Sequence, residues 1–276
     1  MFEISVIIPT YNPGDYINEC INSLYNQTFP LMEFEILVIL NGNVHEYEEK
    51  VNKLLKKAPV FLKTKLLLSN SPGVSNARNM GIDNANGKFI CFIDDDDVVS
   101  PNYLSSLYSK ADKDTIVISN VYSFKRNIEE KSENFFICSQ LRQKDKFYKG
   151  SLFRNRSFLA FPVAKIIHRD IIGNRRFDIR FKNGEDALFI TSLTDKIKNI
   201  EFTDNDAIYY VRERIGSASR KKIPVSELLK TSLLLIGAYT SLYIKSFPHY
   251  NLALFFSRIP GVLKNAIHLY YNNHKR

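Results

Sequence analysis

Phe89-Ile90-Cys91-Phe92-Ile93-Asp94-Asp95-Asp96-Asp97 is the stretch on which the fold turns: five apolar residues run without a break into four carboxylates. A short continuous apolar run closed by polar residues fits a strand buried on both faces, as in a parallel sheet. The same pattern recurs upstream at Ile4-Ser5-Val6-Ile7-Ile8 and at Phe34-Glu35-Ile36-Leu37-Val38-Ile39-Leu40. Between them, after the turn at Asn12-Pro13-Gly14, the residues Ile17, Cys20, Ile21 and Leu24 follow helical spacing. A charged stretch after Asn41-Gly42-Asn43 carries Val51, Leu54 and Leu55 on one side, a third strand is expected at 65–69, and a helix at 74–85. Strands alternating with helices predict an α/β fold with a mainly parallel sheet.

Beyond residue 115 the pattern loosens. Strands are expected at 115–119 and 207–211, a helix opening at 186–190, and a polar loop or hairpin over 123–134. Ser100-Pro101 resembles a helix N-cap followed by proline at the first helical position. After Pro224, Ser226 is the expected N-cap of a helix whose stripe is Leu229, Leu233, Ile236, Tyr239 and Tyr243. A second helix over 252–270 is expected to be interrupted at Pro260-Gly261.

The chain has 276 residues, 45% apolar and 24% charged, which excludes disordered, collagenous and disulfide-scaffold classes. One domain with an appendage suits that length. Cys20, Cys91 and Cys138 are widely spaced with no C-x-x-C, so neither a disulfide framework nor a thiolate metal site is expected. The N-terminal apolar run lacks a basic leader and is ended by Pro9, so no export signal is expected and a cytoplasmic location follows. The net charge of +9 is concentrated in the tail: residues 211–276 hold eleven Lys or Arg against two Glu. The tail's apolar run, Leu233 to Tyr239, is bracketed by Lys230 and Lys245 and falls short of the roughly 20 residues that span a bilayer.

Four adjacent carboxylates repel one another, and a divalent cation or clustered Arg and Lys relieves that repulsion. Taken alone, the cluster is equally a solvated acidic turn near a helix start. Its place at a strand end matters, because open α/β sheets bind ligands beyond the carboxyl ends of their strands. Pro9-Thr10-Tyr11-Asn12 and Asn41-Gly42-Asn43 end two other strands and bring an aromatic face and amides to the same edge. Neither G-x-G-x-x-G nor G-x-x-x-x-G-K-[ST] occurs, which disfavours dinucleotide and P-loop phosphate cradles and leaves a nucleoside diphosphate held through a metal on carboxylates.

Four motifs in this order, Ser5-Val6-Ile7-Ile8-Pro9-Thr10-Tyr11-Asn12, Gly73-Val74-Ser75-Asn76-Ala77-Arg78-Asn79-Met80-Gly81-Ile82, Gly87 to Asp97, and Gly184-Glu185-Asp186, resemble the family 2 glycosyltransferases. The resemblance covers about residues 3–215. It implies a GT-A fold, a Rossmann-like, mainly parallel sheet flanked by helices, here with a C-terminal helical appendage. It also implies a catalytic domain over 1–222, with a nucleotide-sugar half at about 1–115 and an acceptor half at about 116–222, followed by a basic amphipathic helical tail over 223–276. In that family the acidic strand end is the DXD motif. By resemblance, Asp96 with Asp94 binds Mn²⁺ or Mg²⁺, and Asp186 is the base that deprotonates the acceptor. Pro9, Thr10, Tyr11, Asn41, Arg78, Asp94, Asp95, Arg212 and Arg214 are the implied nucleotide-sugar contacts. Arg78 has three open roles: reaching the phosphates, bracing the aspartates, or simply pairing with them. Arg212, Arg214 and Gly216-Ser217-Ala218-Ser219 resemble a basic loop closing over the diphosphate, though a solvated basic face is equally consistent. The family commonly has Asp-Asp-Gly-Ser after its second strand, whereas this chain has Leu40-Asn41-Gly42-Asn43, and Asn41 offers a donor and an acceptor to a pyrimidine edge.

The implied activity is inverting transfer of a sugar, most simply from a UDP-sugar, to a glycan or lipid-linked acceptor in cell-surface polysaccharide synthesis. A nucleotidyltransferase making nucleotide-sugars is the alternative enzyme, but its expected glycine-rich basic loop after the first strand is missing. A non-catalytic nucleic-acid-binding or membrane-binding protein is the third reading. In the tail, charges alternate with Leu, Ile, Phe and Tyr, which suits a peripheral position on the inner face of a membrane better than nucleic acid. Lys230, Lys245, Arg258, Lys264, Lys275 and Arg276 are the residues expected to meet anionic head groups.

Overall fold

The computed structural model describes residues 2–133, 138, 141, 151–214, 224–245 and 247–274. The first three apolar runs form strands β1 (Ile4–Thr10), β2 (Phe34–Asn41) and β4 (Phe89–Phe92), with β3 (Lys63–Ser69) at the edge. Every residue of β1, β2 and β4 is buried, whereas β3 mixes exposed and half-buried positions up to the buried Ser69 at its end. That difference is the difference between inner and edge strands of a parallel sheet.

Among the described residues the main sheet has seven strands in the order β3-β2-β1-β4-β8-β6-β9. Here β6 is Thr115–Ile118, β8 is Lys165–His168 and β9 is Asn199–Phe202. The first four strands run parallel, β8 runs antiparallel to both β4 and β6, and β9 returns parallel to β6. A small second sheet joins β5 (Val98–Val99), β10 (Ile208–Arg212) and β7 (Asn120–Phe124). It lies just beyond the acidic run, so it brings Ile208–Arg212 back beside the carboxylates. Helices α1 (Tyr16–Tyr25), α2 (Val44–Leu55) and α3 (Val74–Asn84) make the connections between the parallel strands. Helix α3 sits close on β1 because Gly81 has no side chain: a Cβ there would come within 2.4 Å of Ile7 Cγ2. Further on come α4 (Tyr103–Tyr108), α5 (Arg169–Ile172), α6 (Glu185–Leu193), α7 (Val225–Lys245) and α8 (Leu252–His274). The expected α/β architecture with a helical tail is what the chain adopts.

Several local expectations are corrected. Ser100 is not a helix cap: its hydroxyl donates to Asn102 Oδ1 and accepts from Ile208 N–H, both at 2.9 Å, while α4 opens three residues later, at Tyr103, with Asn102 at its cap. Ser226 lies inside α7, which begins at Val225. Pro260 does not interrupt the last helix, which runs through it. The lost hydrogen bond falls on an exposed face beside Phe256, where water can serve the freed carbonyl. The stripe that α7 buries is Leu228, Ser232, Leu235 and Tyr239, one residue away from the one expected at its start, and Leu229 and Leu233 face solvent. Residues 123 and 124 belong to β7, and Ser132 pairs back onto Ser123, so the polar segment is a hairpin-like return; Asn134 lies outside the described residues.

The tail docks on the core. Leu235 and Tyr239 of α7 close over Phe181 and Leu188, Leu254 of α8 joins the main core, and the Tyr250 hydroxyl donates to Ser192 O at 3.0 Å. Arg258, expected at head groups, is instead buried against α6 and the segment before β8. Lys230, Lys245 and Lys264 are exposed, and Lys275 and Arg276 lie outside the described residues.

Candidate active site

The carboxyl ends of β1, β2 and β4 meet at one edge. Thr10, the last residue of β1, donates its hydroxyl to Asp95 Oδ2. Asn41, the last residue of β2, donates Nδ2–H to Thr10 O at 2.7 Å and accepts Gly73 N–H on Oδ1 at 3.0 Å. Asn41 is therefore buried, with one donor and one acceptor of its amide engaged in organising the edge and the start of α3. Tyr11 is exposed, at 56% of its surface, and Pro9 is buried within β1.

Arg78, on the first turns of α3, is the hinge of the cluster. Its Nη2 donates to Asp94 Oδ1 at 3.0 Å and its Nη1 to Asp186 Oδ1 at 2.6 Å. The guanidinium is buried, lies 5.3 Å from the centre of the Phe177 ring, and its Nε has no hydrogen-bond partner among the described residues. Burial works against its charge, but Asp186 and then Asp94 more than offset that and raise its pKa. Of the three roles open for Arg78, the geometry displays bracing: one cation fixes the acidic strand end relative to the first turn of α6.

The remaining aspartates are held from the tail side of the catalytic region. Arg214 Nε lies 2.6 Å from Asp96 Oδ2, while Arg214 Nη1 donates to the Tyr16 hydroxyl at 2.6 Å with the guanidinium stacked over that ring. Arg212 donates Nε–H to Asp96 O at 2.9 Å, its backbone N–H to Asp97 Oδ1 at 2.8 Å, and Nη2–H to Glu19 Oε2 at 2.8 Å. Tyr209 accepts Asp94 N–H at 3.1 Å and hydrogen-bonds Asp97. Residues Gly216 to Ser219 lie outside the described residues.

Crowding and burial make Asp95, Asp96, Asp97, Glu185 and Asp186 poor acids. Burial is the largest cause in each case: it pushes Asp95 up to about 7 against the Thr10 hydrogen bond, with Asp96 and Asp94 adding to it. Burial and Asp94 raise Asp96, and burial with Asp96 and Asp94 raises Asp97 well above the ordinary range. On the first turn of α6, burial and Asp186 push Glu185 up to about 7, and burial raises Asp186 although Arg78 opposes it. Such carboxyls gain from a cation. Asp94 and Asp96 supply hard oxygen donors of the kind Mg²⁺ and Mn²⁺ take, though each is paired through one oxygen with an arginine. Among the described residues no three ligating side chains converge into a preformed cation cage.

Sequence reasoning picked out the aspartates, Arg78 and Asp186, which the fold brings together, and Arg212 and Arg214, which it adds to them. It missed Tyr16, Glu19, Phe177 and Tyr209, which steer those arginines and aspartates. Their positions give no pattern signal: Tyr16 and Glu19 look like ordinary helix surface, and Tyr209 reads as one more apolar strand residue.

Comparison with known proteins identifies the family and the fold. Residues 5–176 match the family model described as Glycosyl transferase family 2. The poly(ribitol-phosphate) beta-N-acetylglucosaminyltransferase TarS of Staphylococcus aureus is 29% identical over 218 residues, covering 78% of this chain and 36% of TarS. The chain thus spans about a third of that relative's length. Glycosyltransferase GlyG of Streptococcus pneumoniae is 28% identical over 239 residues, covering 81% of this chain and 75% of GlyG. The crystal structure of S. aureus TarS 1-349 in complex with UDP-GlcNAc superposes with a TM-score of 0.72 at 21% identity, covering 97% of this chain and 73% of that one. The mannosyltransferase PcManGT of Pyrobaculum calidifontis, in complex with GDP-Man and Mn²⁺, superposes with a TM-score of 0.62 at 15% identity, covering 97% and 73%. These likenesses show the GT-A fold.

Proposed function

The chain belongs to glycosyl transferase family 2, and on that premise we propose that it is an inverting glycosyltransferase that moves a sugar from a nucleoside-diphosphate donor to a hydroxyl of a glycan or lipid-linked acceptor in cell-surface polysaccharide synthesis. The observation that carries this reading is the double grip of Arg78, which sets Asp94 at the strand end and Asp186 on α6 around one point. A UDP-sugar is the favoured donor, as TarS binds UDP-GlcNAc and TarS and GlyG are glycosyltransferases. In this reading residues 1–115 hold the donor, 116–222 the acceptor, and 223–276 form the tail.

Asp186 accepts the proton of the attacking hydroxyl. Arg78 keeps that carboxylate ionised and aimed, while burial raises its basicity toward what proton abstraction near neutral pH requires. Attack on the face opposite the leaving diphosphate inverts the anomeric centre. Thr10 and Asn41 shape the edge, exposed Tyr11 offers a ring to the nucleobase, and Arg212 and Arg214 face the developing phosphate charge. A divalent cation, held by Asp96 with Asp94, would act as a Lewis acid on the leaving diphosphate. PcManGT carries Mn²⁺ on this fold, which supports that assignment.

The tail is read as a peripheral contact with an anionic membrane surface. Leu229, Leu233, Ile244, Phe256 and Leu263 are exposed beside Lys230, Lys245 and Lys264. No helix among the described residues is long and apolar enough to cross a membrane.

The donor site is tested by thermal unfolding with UDP and Mn²⁺ on wild type and Asp96→Asn. Wild type should gain stability only when both are present, and Asp96→Asn should keep its fold and lose that gain. Equal stabilisation of the variant would rule out Asp96 as the metal ligand.

A further inference from the structure

We propose that Arg258, on the C-terminal helix α8, is a positioning residue for the helix that carries Asp186, so that the tail takes part in the transfer step itself. The proposal rests on the reading of Asp186 as the base. Arg258 is buried at 9% exposure, and among the described residues its three hydrogen-bond acceptors include no carboxylate. Its Nε donates to Thr191 Oγ1 at 3.0 Å, its Nη2 to Leu159 O at 3.0 Å and its Nη1 to Arg156 O at 3.3 Å. Thr191 in turn donates that same hydroxyl to Ala187 O at 2.6 Å, one residue past Asp186. A short chain of bonds therefore runs from the tail into the first turn of α6.

The other two bonds fix what α6 faces. Residues 156–159 lead into the stretch where the buried Lys165 ammonium donates to Phe161 O at 2.5 Å and Val163 O at 2.9 Å, within the electrostatic reach of Asp186. Arg258 thus spans the gap between α6 and the segment opposite it. Attachment of the tail alone does not require this: Leu254, Leu235 and Tyr239 already supply apolar anchoring. Burying a guanidinium is costly unless every bond is well made, and its planar fork fixes geometry where apolar contact does not. At the other end of the same turn, Leu235 of α7 sits against Gly184, where a Cβ would meet Leu235 Cδ1 at 2.8 Å. Both tail helices therefore bear on the turn that presents Asp186.

The test uses the full chain as wild type, Arg258→Met, Arg258→Lys and Thr191→Val. Readouts are affinity for UDP with Mn²⁺, kcat for UDP release from a panel of nucleotide-sugars, and amide hydrogen exchange over residues 187–190. Arg258→Met should hold UDP affinity within about twofold and lower kcat about ten- to a hundredfold, the scale of an ångström-sized misplacement. It should also speed exchange at 187–190. Arg258→Lys should recover part of kcat, and Thr191→Val, nearly isosteric and tail-docked, should reproduce the loss and decide the matter if Arg258→Met does not fold. A folded Arg258→Met or Thr191→Val with wild-type kcat overturns the proposal, as does a loss of UDP affinity parallel to that of kcat. If wild type turns over no nucleotide-sugar, the glycosyl-transfer reading fails separately, and unchanged exchange at 187–190 in Arg258→Met overturns the positioning role.

Discussion

Arg78 is buried between two carboxylates that come from distant parts of the chain, and it pairs with both. Removing either partner leaves a buried charge half-satisfied, so the site has the character of a preset frame. Asp186→Asn keeps an acceptor for Arg78 and removes only the proton-abstracting oxygen. It should retain UDP binding and lose transfer by about 10²–10⁴-fold, as general-base deletions do, measured by calorimetry beside steady-state kinetics. Because burial raises Asp186 and the base must be deprotonated to act, wild-type kcat should climb with pH through a value above the ordinary carboxylate range. A pH-independent rate across that window would reassign the residue. At this scale the aspartates were legible because four carboxylates at a buried strand end must be neutralised, whereas Arg78 and Asp186 were legible only through the motifs around Ala77-Arg78-Asn79 and Gly184-Glu185-Asp186 that carry the family resemblance. Asn41 was legible as a polar strand end, but its bonds to Thr10 O and Gly73 N–H were not, since only the fold creates those contacts.

Helix α6 begins at Gly184, whose φ of +87° is a left-handed conformation that costs a side-chain-bearing residue. A methyl there would also meet Leu235 of the tail at 2.8 Å. Gly184→Ala should therefore destabilise the chain by about 1–3 kcal/mol in a urea titration, and should reduce transfer more than UDP binding, because the turn it strains carries Asp186. A neutral effect on stability would mean that the loop and tail adjust freely. The inner parallel strands were legible because burial on both faces demands unbroken apolar runs. Strands β5, β8 and β9 were not: β5 is two residues long, β8 opens with the buried Lys165, and β9 mixes Asn199 and Glu201 with its apolar positions. Their strand character comes from pairing partners, not from any local pattern.

For the whole molecule, the tail has two faces with different work. One buries Leu228, Leu235, Tyr239, Leu254 and Arg258 on the catalytic region; the other leaves Leu229, Leu233 and Phe256 exposed among lysines. The helical character and basic charge of the tail were legible, while its register was not, because apolar residues surround α7 and only the docking partner selects which are buried. The full chain should sediment with vesicles containing anionic phospholipid, less so in high salt. Replacing Lys230, Lys245 and Lys264 by Glu should weaken binding, each lysine contributing about 1 kcal/mol near the surface before screening. Equal binding to zwitterionic vesicles would contradict a charge-led contact. The central claim, inverting displacement at the cleft between Asp94 and Asp186, is met most directly by NMR of the sugar first released by the wild-type enzyme from the α-linked UDP-sugar that stabilises it best, with water as acceptor. The account predicts the β-anomer before mutarotation sets in; initial release of the α-anomer, or no release from any donor that binds, would contradict it.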